Sequence, residues 1–467
     1  MRKLYWYLTG FAKKHGLIFI VSIVGAVAIF SVFIPTLVSS LETKKRNYVG
    51  LVGNYTIDSL PREVTEKISA GLTSINKDGS ASPLLSQRWS VEQDGKTYRF
   101  ILRDDIFWRD GKKLEPDDIK YNFDNVETII TPNDIVFKLP DSYAPFPTIV
   151  SEPVVRKEDE KYNFFFTRPT LIGVGKYKIS DYETKGQRIT EVTLDSKDDR
   201  YIYRFYLTEN DAVLAFKHGE VDILENLSKK YDIFEWPNVN LKEDLNNNKY
   251  LAIFFNIRNS FFQKNIRQAL AYAIETPEDN SRSYGPINPD SWAYLQAGKN
   301  YNKDLDRAVE RILDEVPQEK MEFELTTTSL YEAEAEKIKS EWEELGKRVF
   351  ESCPKSDKVS QKVLCENTKI SVKIRISNFP DTNNFQLMLI GQESPPDPDQ
   401  YYLWHSEQSS NFSGYKNTRI DNLLEKGRQT FGQKERVEIY EEFQQFFLED
   451  APAIFIRHLY SYDISRK

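Results

Sequence analysis

The sequence predicts an α/β body of two or three packed units behind a single membrane-spanning helix. Strand-like and helix-like patterns alternate along the chain, which is the mark of α/β layers. At 467 residues the chain is too long for one compact core. Leu17–Val38 runs 22 residues without a charge, enough at helical rise to cross a hydrocarbon layer of about 30 Å.

Arg2, Lys3, Lys13 and Lys14 precede the apolar run and favour a cytoplasmic N-terminus over residues 1–16, while Lys44, Lys45 and Arg46, at the end of a linker over 39–46, pull the other way. A cleaved signal peptide is the rival reading, with Val38-Ser39-Ser40 as a small-residue cleavage site. Signal cores usually run about 7–15 residues, so the uncleaved anchor over 17–38 is favoured. It puts the body outside the cytoplasm, in the periplasm or on the cell surface. No cysteine lies near the segment to carry a lipid. Residues 1–46 hold seven Lys/Arg and one Asp/Glu, so the overall charge of −8 conceals a body of −14. Such a body repels phosphate backbones, which argues against nucleic acid as a partner. The two cysteines, Cys353 and Cys365, are free to oxidise outside the cytoplasm; a local disulfide and two free thiols both remain open. No further His or Cys stands nearby to complete a zinc site.

In chain order, Tyr98, Phe100 and Leu102 alternate with Arg99, Ile101 and Arg103 as in a strand. Asp78-Gly79, Asp94-Gly95 and Asp110-Gly111 mark tight turns, where glycine accepts a positive φ. Pro116 followed by Ile119, Phe123 and Val126 predicts an amphipathic helix. Asn265 is the expected N-cap of a helix with Ile266, Leu270 and Ile274 on one face. Ser329 and Glu332 form a capping-box pattern, followed by the stripe Tyr331, Ala335, Ile338, Trp342 and Leu345, with Gly346 as the expected stop. Val437, Tyr440, Phe443 and Phe447 stripe a last helix. These stripes are core, and Arg267 and Gln268 read as structural.

Catalytic signatures are absent. There is no phosphate-cradling glycine loop, no paired-histidine metal motif and no serine in a glycine-flanked elbow. His15, His218, His405 and His458 are scattered. A hydrolase built on Glu393, Asp397 or Asp399 is the residual catalytic alternative, and no cofactor is expected.

Six stretches stand in a telling order: DGKTYRFILRDDIFWRDGKKLEPDDIKYNF (94–123), AVLAFKHGEVDI (212–223), YLAIFFNIRNSFFQKNIRQALAYAIE (250–275), GPINPDSWAY (285–294), DPDQYYLWHS (397–406) and NFSGYKNTRIDNLL (411–424). Together they resemble the family 5 extracellular solute-binding proteins, the peptide- and nickel-binding subunits of ABC importers, over roughly residues 47 to 460. The resemblance implies a two-lobed periplasmic-binding-protein type II fold. Lobe 1 would span 47–255 with a small subdomain at about 72–170, lobe 2 would span 256–440, and 441–467 would return to lobe 1. The chain is short around 130–175, so the subdomain is expected to be reduced. The implied protein is a monomeric receptor that encloses a peptide or similar small solute by hinge closure, hands it to ABC permease subunits and performs no chemistry. The alternative is a receptor-fold envelope module for interaction or sensing, without transport.

The same resemblance places Gly391, Gln392, Glu393 and Ser394 at a strand end facing the cleft, where the backbone of relatives pairs with the ligand main chain. Pro395, Pro396 and Pro398 would hold that loop's dihedrals. Asp397, Tyr401, Tyr402 and Trp404 are expected beside the wall and Asn256 at a lobe crossing. Against these stand plainer readings: Asp397 and Asp399 capping the next helix, Tyr402 and Trp404 packing in lobe 2, and Asn256 as a strand-end residue. Peptide receptors place an aspartate for the ligand's ammonium where this chain has Ser394. Either Glu393 takes that part or the ligand lacks a free amine, since a buried ammonium needs a counter-charge. SCPKSDKVSQKVLC (352–365) resembles an insertion, whose disulfide would contribute about 3 kcal/mol.

Overall fold

The computed structural model describes residues 44–467 except 93–94, 162–166 and 354–363, together with Thr9, Lys14–Gly16, Ser22 and Gly25–Val27. The segment expected to span a membrane, Leu17–Val38, and the alternative cleavage site therefore lie outside the described residues but for those isolated positions. Among the described residues no helix is long and apolar enough to cross a membrane.

A ten-stranded mixed sheet runs through the body. From one edge to the other its strands are β10 (Lys178–Lys185), β11 (Arg188–Asp195), β12 (Asp199–Tyr206), β1 (Lys45–Val52), β13 (Ile223–Leu227), β18 (Ala453–Arg466), β14 (Val239–Phe255), β17 (Leu387–Glu393), β15 (Met321–Thr327) and β16 (Ile370–Ile376). β14 and β18 belong to both halves. They pair from Val239–Arg466 to Phe254–Ala453, with register shifts between Asn246 and Tyr250 and between Leu251 and Ala252. On one side of the first shift β18 also pairs with β13; on the other, β14 takes β17 as its second neighbour. The crossing thus lies at Asn246–Lys249, ahead of the boundary drawn at Phe255. Tyr250–Phe255 is already the buried centre of the second half-sheet, and its unbroken apolar run is what a strand covered on both faces requires. The helix Gln433–Asp450 packs in that second half, so β18 alone makes the return expected from residue 441.

Each face of the second half-sheet has its own core. Leu251, Ile253 and Phe255 point to Leu270, Trp342 and Leu345; Tyr250, Phe254 and Phe455 point to Trp404, Tyr440 and Phe447. The small subdomain is an antiparallel sheet of β4 (Ser86–Val91), β5 (Thr97–Leu102), β7 (Asp134–Lys138) and β6 (Glu127–Ile130), flanked by the hairpins β2 (Thr73–Ile75)–β3 (Ala81–Pro83) and β8 (Arg156–Lys161)–β9 (Thr167–Ile172). Its core is aromatic, with Tyr98 and Phe137 against Phe146 at centroid distances of 4.9 and 5.3 Å.

The expected alternation of β5 and the apolar helix stripes are present, and Gly79, Gly95 and Gly111 all take positive φ. Four local expectations are corrected. Pro116 starts only a 3₁₀ turn, Pro116–Asp118, because Asp118 folds back to accept from Trp108 Nε1 and Glu115 N, and Asn125 turns left-handed at φ 59°. The helix after Phe262 begins at Lys264 with Gln263 as N-cap, leaving Asn265 to reach Glu315. Ser329 bonds Asn378 instead of capping, and the helix runs Glu332–Ser352 straight through Gly346. A Cβ on Gly346 would lie 2.3 Å from the Ile370 nitrogen, so this glycine lets helix and β16 approach. Cys353 and Cys365 are bonded, with Cα atoms 5.9 Å apart.

Candidate ligand-binding cleft

β17 is held along its whole length by β14, Leu387–Glu393 lying opposite Phe255–Lys249. On its other side β15 pairs only with Leu387–Leu389 and ends at Thr327. Ile390–Glu393 therefore carries an open edge. Which groups occupy it follows from the alternation of an antiparallel ladder. The Leu389 carbonyl accepts from Thr327 Oγ1 at 2.8 Å, on the β15 side. The Ser394 N–H donates to the Asn248 carbonyl at 2.7 Å, on the β14 side. Stepping by two, the N–H and C=O groups of Gly391 and Glu393 face the open side. A side chain on Gly391 would crowd its neighbours: a Cβ would stand 2.9 Å from the Tyr331 hydroxyl and 3.0 Å from Leu459 Cδ1.

The edge borders a cavity of about 500 Å³ walled by Thr328, Leu330, Tyr331, Pro380 and Ile390. A second cavity of about 290 Å³ shares Lys249, Leu330, Tyr331 and Leu459 with it and reaches Asn226–Lys230 at the end of β13. The two cavities are neighbours on either side of these shared residues, beside the crossing strands. Lys249 Nζ stands 3.8 Å from a Glu393 carboxylate oxygen, and Arg457 pairs with Glu334. Asn226 sits left-handed at φ 61°, a conformation asparagine tolerates, and its N–H donates to Asp463. Beneath Lys249, burial holds the His458 imidazole below the ordinary histidine value.

After Glu393 the chain closes up. Ser394 Oγ donates to the Pro286 carbonyl at 2.6 Å. The turn Asp78-Gly79 of the subdomain packs on Pro396 so closely that a Cβ on Gly79 would lie 2.0 Å from the Pro396 carbonyl oxygen. Asp397 receives two bonds from Arg436, at 2.6 and 2.9 Å, both side chains being only 7% exposed. Asp399 pairs with Arg428 at 2.8 Å and accepts from Tyr401 N. Burial pushes its carboxyl up against the pull of Arg428. A third cavity, about 240 Å³, lies here between subdomain and second half-sheet, with Trp89, Tyr98, Trp292, Asp397 and Arg436 in its wall.

The profile of the bacterial extracellular solute-binding proteins, family 5 Middle, matches residues 80–413. The chain belongs to that family. Members are binding proteins rather than enzymes. This solute-binding protein is 23% identical over 470 residues to the dipeptide-binding protein of Escherichia coli K12, covering 82% of each chain. Among solved structures, NikZ from Campylobacter jejuni, in complex with Ni(L-His), superposes with a TM-score of 0.69 at 22% identity, over 91% of this chain and 94% of that one. AppA from Bacillus subtilis, in complex with a nonapeptide, gives 0.62 at 17% identity, over 91% and 95%. At these identities the superpositions establish the fold.

Of the eight residues the sequence suggests for a ligand site, Gly391, Gln392 and Glu393 line the cavity of about 500 Å³ and Asp397 the third cavity. Ser394, Tyr401, Trp404 and Asn256 line none of the three. Trp404 is fully buried in the second half-sheet's core, its ring 4.6 Å from that of Phe447. Tyr401 stacks on His405 at 4.1 Å under the Arg428 guanidinium, while Tyr402 is exposed. Asn256 sits at the far end of β14, its amide donating to the Phe385 carbonyl at 2.9 Å. Sequence reading missed Lys249, Tyr331 and Arg457 as cleft residues and Arg436 as the partner of Asp397. Arg436 had a signal: it lies on the helix face of Tyr440, Phe443 and Phe447, where a lone cation needs a buried anion.

Proposed function

We propose that this chain is an extracytoplasmic, membrane-anchored receptor of an ABC importer, which binds a peptide or similar small solute between its lobes and delivers it to the permease. The observation that carries this reading is the open edge of Ile390–Glu393 along a cavity of about 500 Å³. An edge of N–H and C=O groups without a strand partner recognises a peptide main chain by strand addition and leaves side chains to the surrounding walls; the Glu393 carbonyl is met only by the neighbouring Gln392 amide, at 3.3 Å. Relatives named for dipeptides, and a fold relative solved with a nonapeptide, support the solute class. The anchor rests on the uncharged run Leu17–Val38. Gly391 and Glu393 supply the main-chain contacts, Gln392 lies between them and Asp397 walls the neighbouring cavity. The mechanism is closure around the solute, with no covalent step.

The test is mass spectrometry of what the purified full chain releases on denaturation, beside the Gly391→Val variant. Short peptides released by the parent and lost in the variant are expected. No released solute, together with no thermal shift from a random tetrapeptide pool, overturns the reading; a ligand at about 100 times its Kd adds roughly 2.7 kcal/mol and is readily seen. One observation favours the alternative of an envelope module without transport. The loop Ser394–Pro396 is filled by the chain's own atoms, from Pro286 and from the Asp78-Gly79 turn.

A further inference from the structure

We propose that the solute of this cleft is anionic, presenting a carboxylate or similar group to Lys229, Lys230, Lys249 and Arg457 and carrying no free amine. The inference rests on the solute-binding reading above and deepens it.

The first ground is a local reversal of charge. The chain beyond residue 46 is strongly acidic, yet the two neighbouring cavities carry four cationic side chains, Lys229, Lys230 and Arg457 on the smaller and Lys249 on both, against two carboxylates, Glu334 and Glu393. Cations gathered in a concave wall focus their field on the space inside.

The second ground is how little of that charge is answered from within. Arg457 is paired with Glu334, and Lys230 reaches Glu243 at 3.1 Å. Lys249 meets Glu393 only at 3.8 Å, with both side chains about half exposed or more, a geometry that binds weakly in water. Lys229 lies over the Tyr231 ring, 5.2 Å from its centroid, and has no carboxylate within ion-pair distance among the described residues. The Tyr331 hydroxyl adds a neutral donor on the same wall.

The third ground is what the loop does not offer. Ser394 has no charge, is buried, and already donates its hydroxyl hydrogen bond to the Pro286 carbonyl. The carboxylates beyond it, Asp397 and Asp399, are held by Arg436 and Arg428. Among the described residues, the carboxylate a ligand ammonium would meet at the end of the strand is Glu393, and it would have to take it from Lys249. An anion meets no such competition.

The experiment is equilibrium dialysis of the full chain against two random tetrapeptide pools, read by mass spectrometry. One pool is N-acetylated with a free C-terminal carboxylate; the other has a free amine and a C-terminal amide. We expect the acetylated pool to be retained at least about tenfold better, with retention falling steeply as salt rises. Lys249→Glu, at an exposed side chain, should abolish that preference, and Lys229→Glu provides the same reading should the first variant misfold. Equal retention, a preference for the amidated pool, or indifference to both variants overturns the anionic assignment while peptide binding stands. Retention of neither pool overturns peptide binding and this assignment with it.

Discussion

Gly391–Glu393 and Asp397–Asp399 are separated by three residues and are put to opposite uses. The first triplet leaves main-chain groups on an open edge beside a cavity; the second has both of its carboxylates closed by arginines from the last two helices. Between them Ser394, Pro395 and Pro396 turn the chain from one condition to the other. The difference teaches that acidity is a poor guide to ligand contact here. The more acidic and more rigid half of the segment is the half that holds the second lobe together. The half left available is the one built on a glycine, whose main-chain groups stand on the open edge with the Gln392 and Glu393 side chains beside it.

The comparison breaks hardest at Arg436. Arg436→Ala leaves Asp397 buried without its partner and should lower unfolding free energy by about 3–5 kcal/mol in a denaturant titration. If the sealed half is packing and not recognition, replacing both partners by apolar residues, Asp397→Leu with Arg436→Met, should recover most of that loss. At the open half the sizes reverse. Gly391→Val crowds Tyr331 and Leu459, costing about 1–3 kcal/mol of stability, but should remove solute retention altogether. Retention by that variant at the parent level would show that the edge is not where the solute lies. His458 sharpens the boundary between the halves by pH. Its folded-state pKa is depressed by burial, so the stability it contributes is present above the ordinary value of 6.5 and is lost as pH falls below it. His458→Gln should flatten that part of a Tm-against-pH curve. Glu393→Gln should be the mildest change, within about 0.5 kcal/mol in stability, because its pairing with Lys249 is long and exposed. Under the anionic assignment it should leave affinity for an acetylated peptide unchanged or improved.

How much of this was legible in the chain depends on the range of the interaction. Local patterns carried well: the alternation of Tyr98, Phe100 and Leu102, the glycine turns, and the stripe from Ala335 to Leu345 all describe a few neighbouring residues. The resemblance carried the two-lobed fold. Gly346 was misread because a helix-stopping glycine and a close-packing glycine look alike until β16 is seen against it. The helix expected from Pro116 has the right apolar spacing, but Ile119 and Phe123 serve the subdomain's aromatic core from a coil. The cationic wall was out of reach for a simpler reason. Lys249 and Arg457 stand on different strands, far apart in the chain, and only the crossing of β14 and β18 brings them to one cavity.

Under the closure mechanism proposed above, that crossing would act as a torsion joint. Because β14 and β18 are partners in one ladder through both halves, rotating one half against the other strains every rung except where rungs are missing. The gap in register between Asn246 and Tyr250 is such a place. The chain fills it with three consecutive asparagines. Asn247 bonds Asp290, and Asn248 accepts from the side chain of Asn288. The same stretch is tied to the open edge, since the Asn248 carbonyl accepts from Ser394 N–H and Lys249 lies opposite Glu393, so a twist here would be felt directly by the groups that line the cleft.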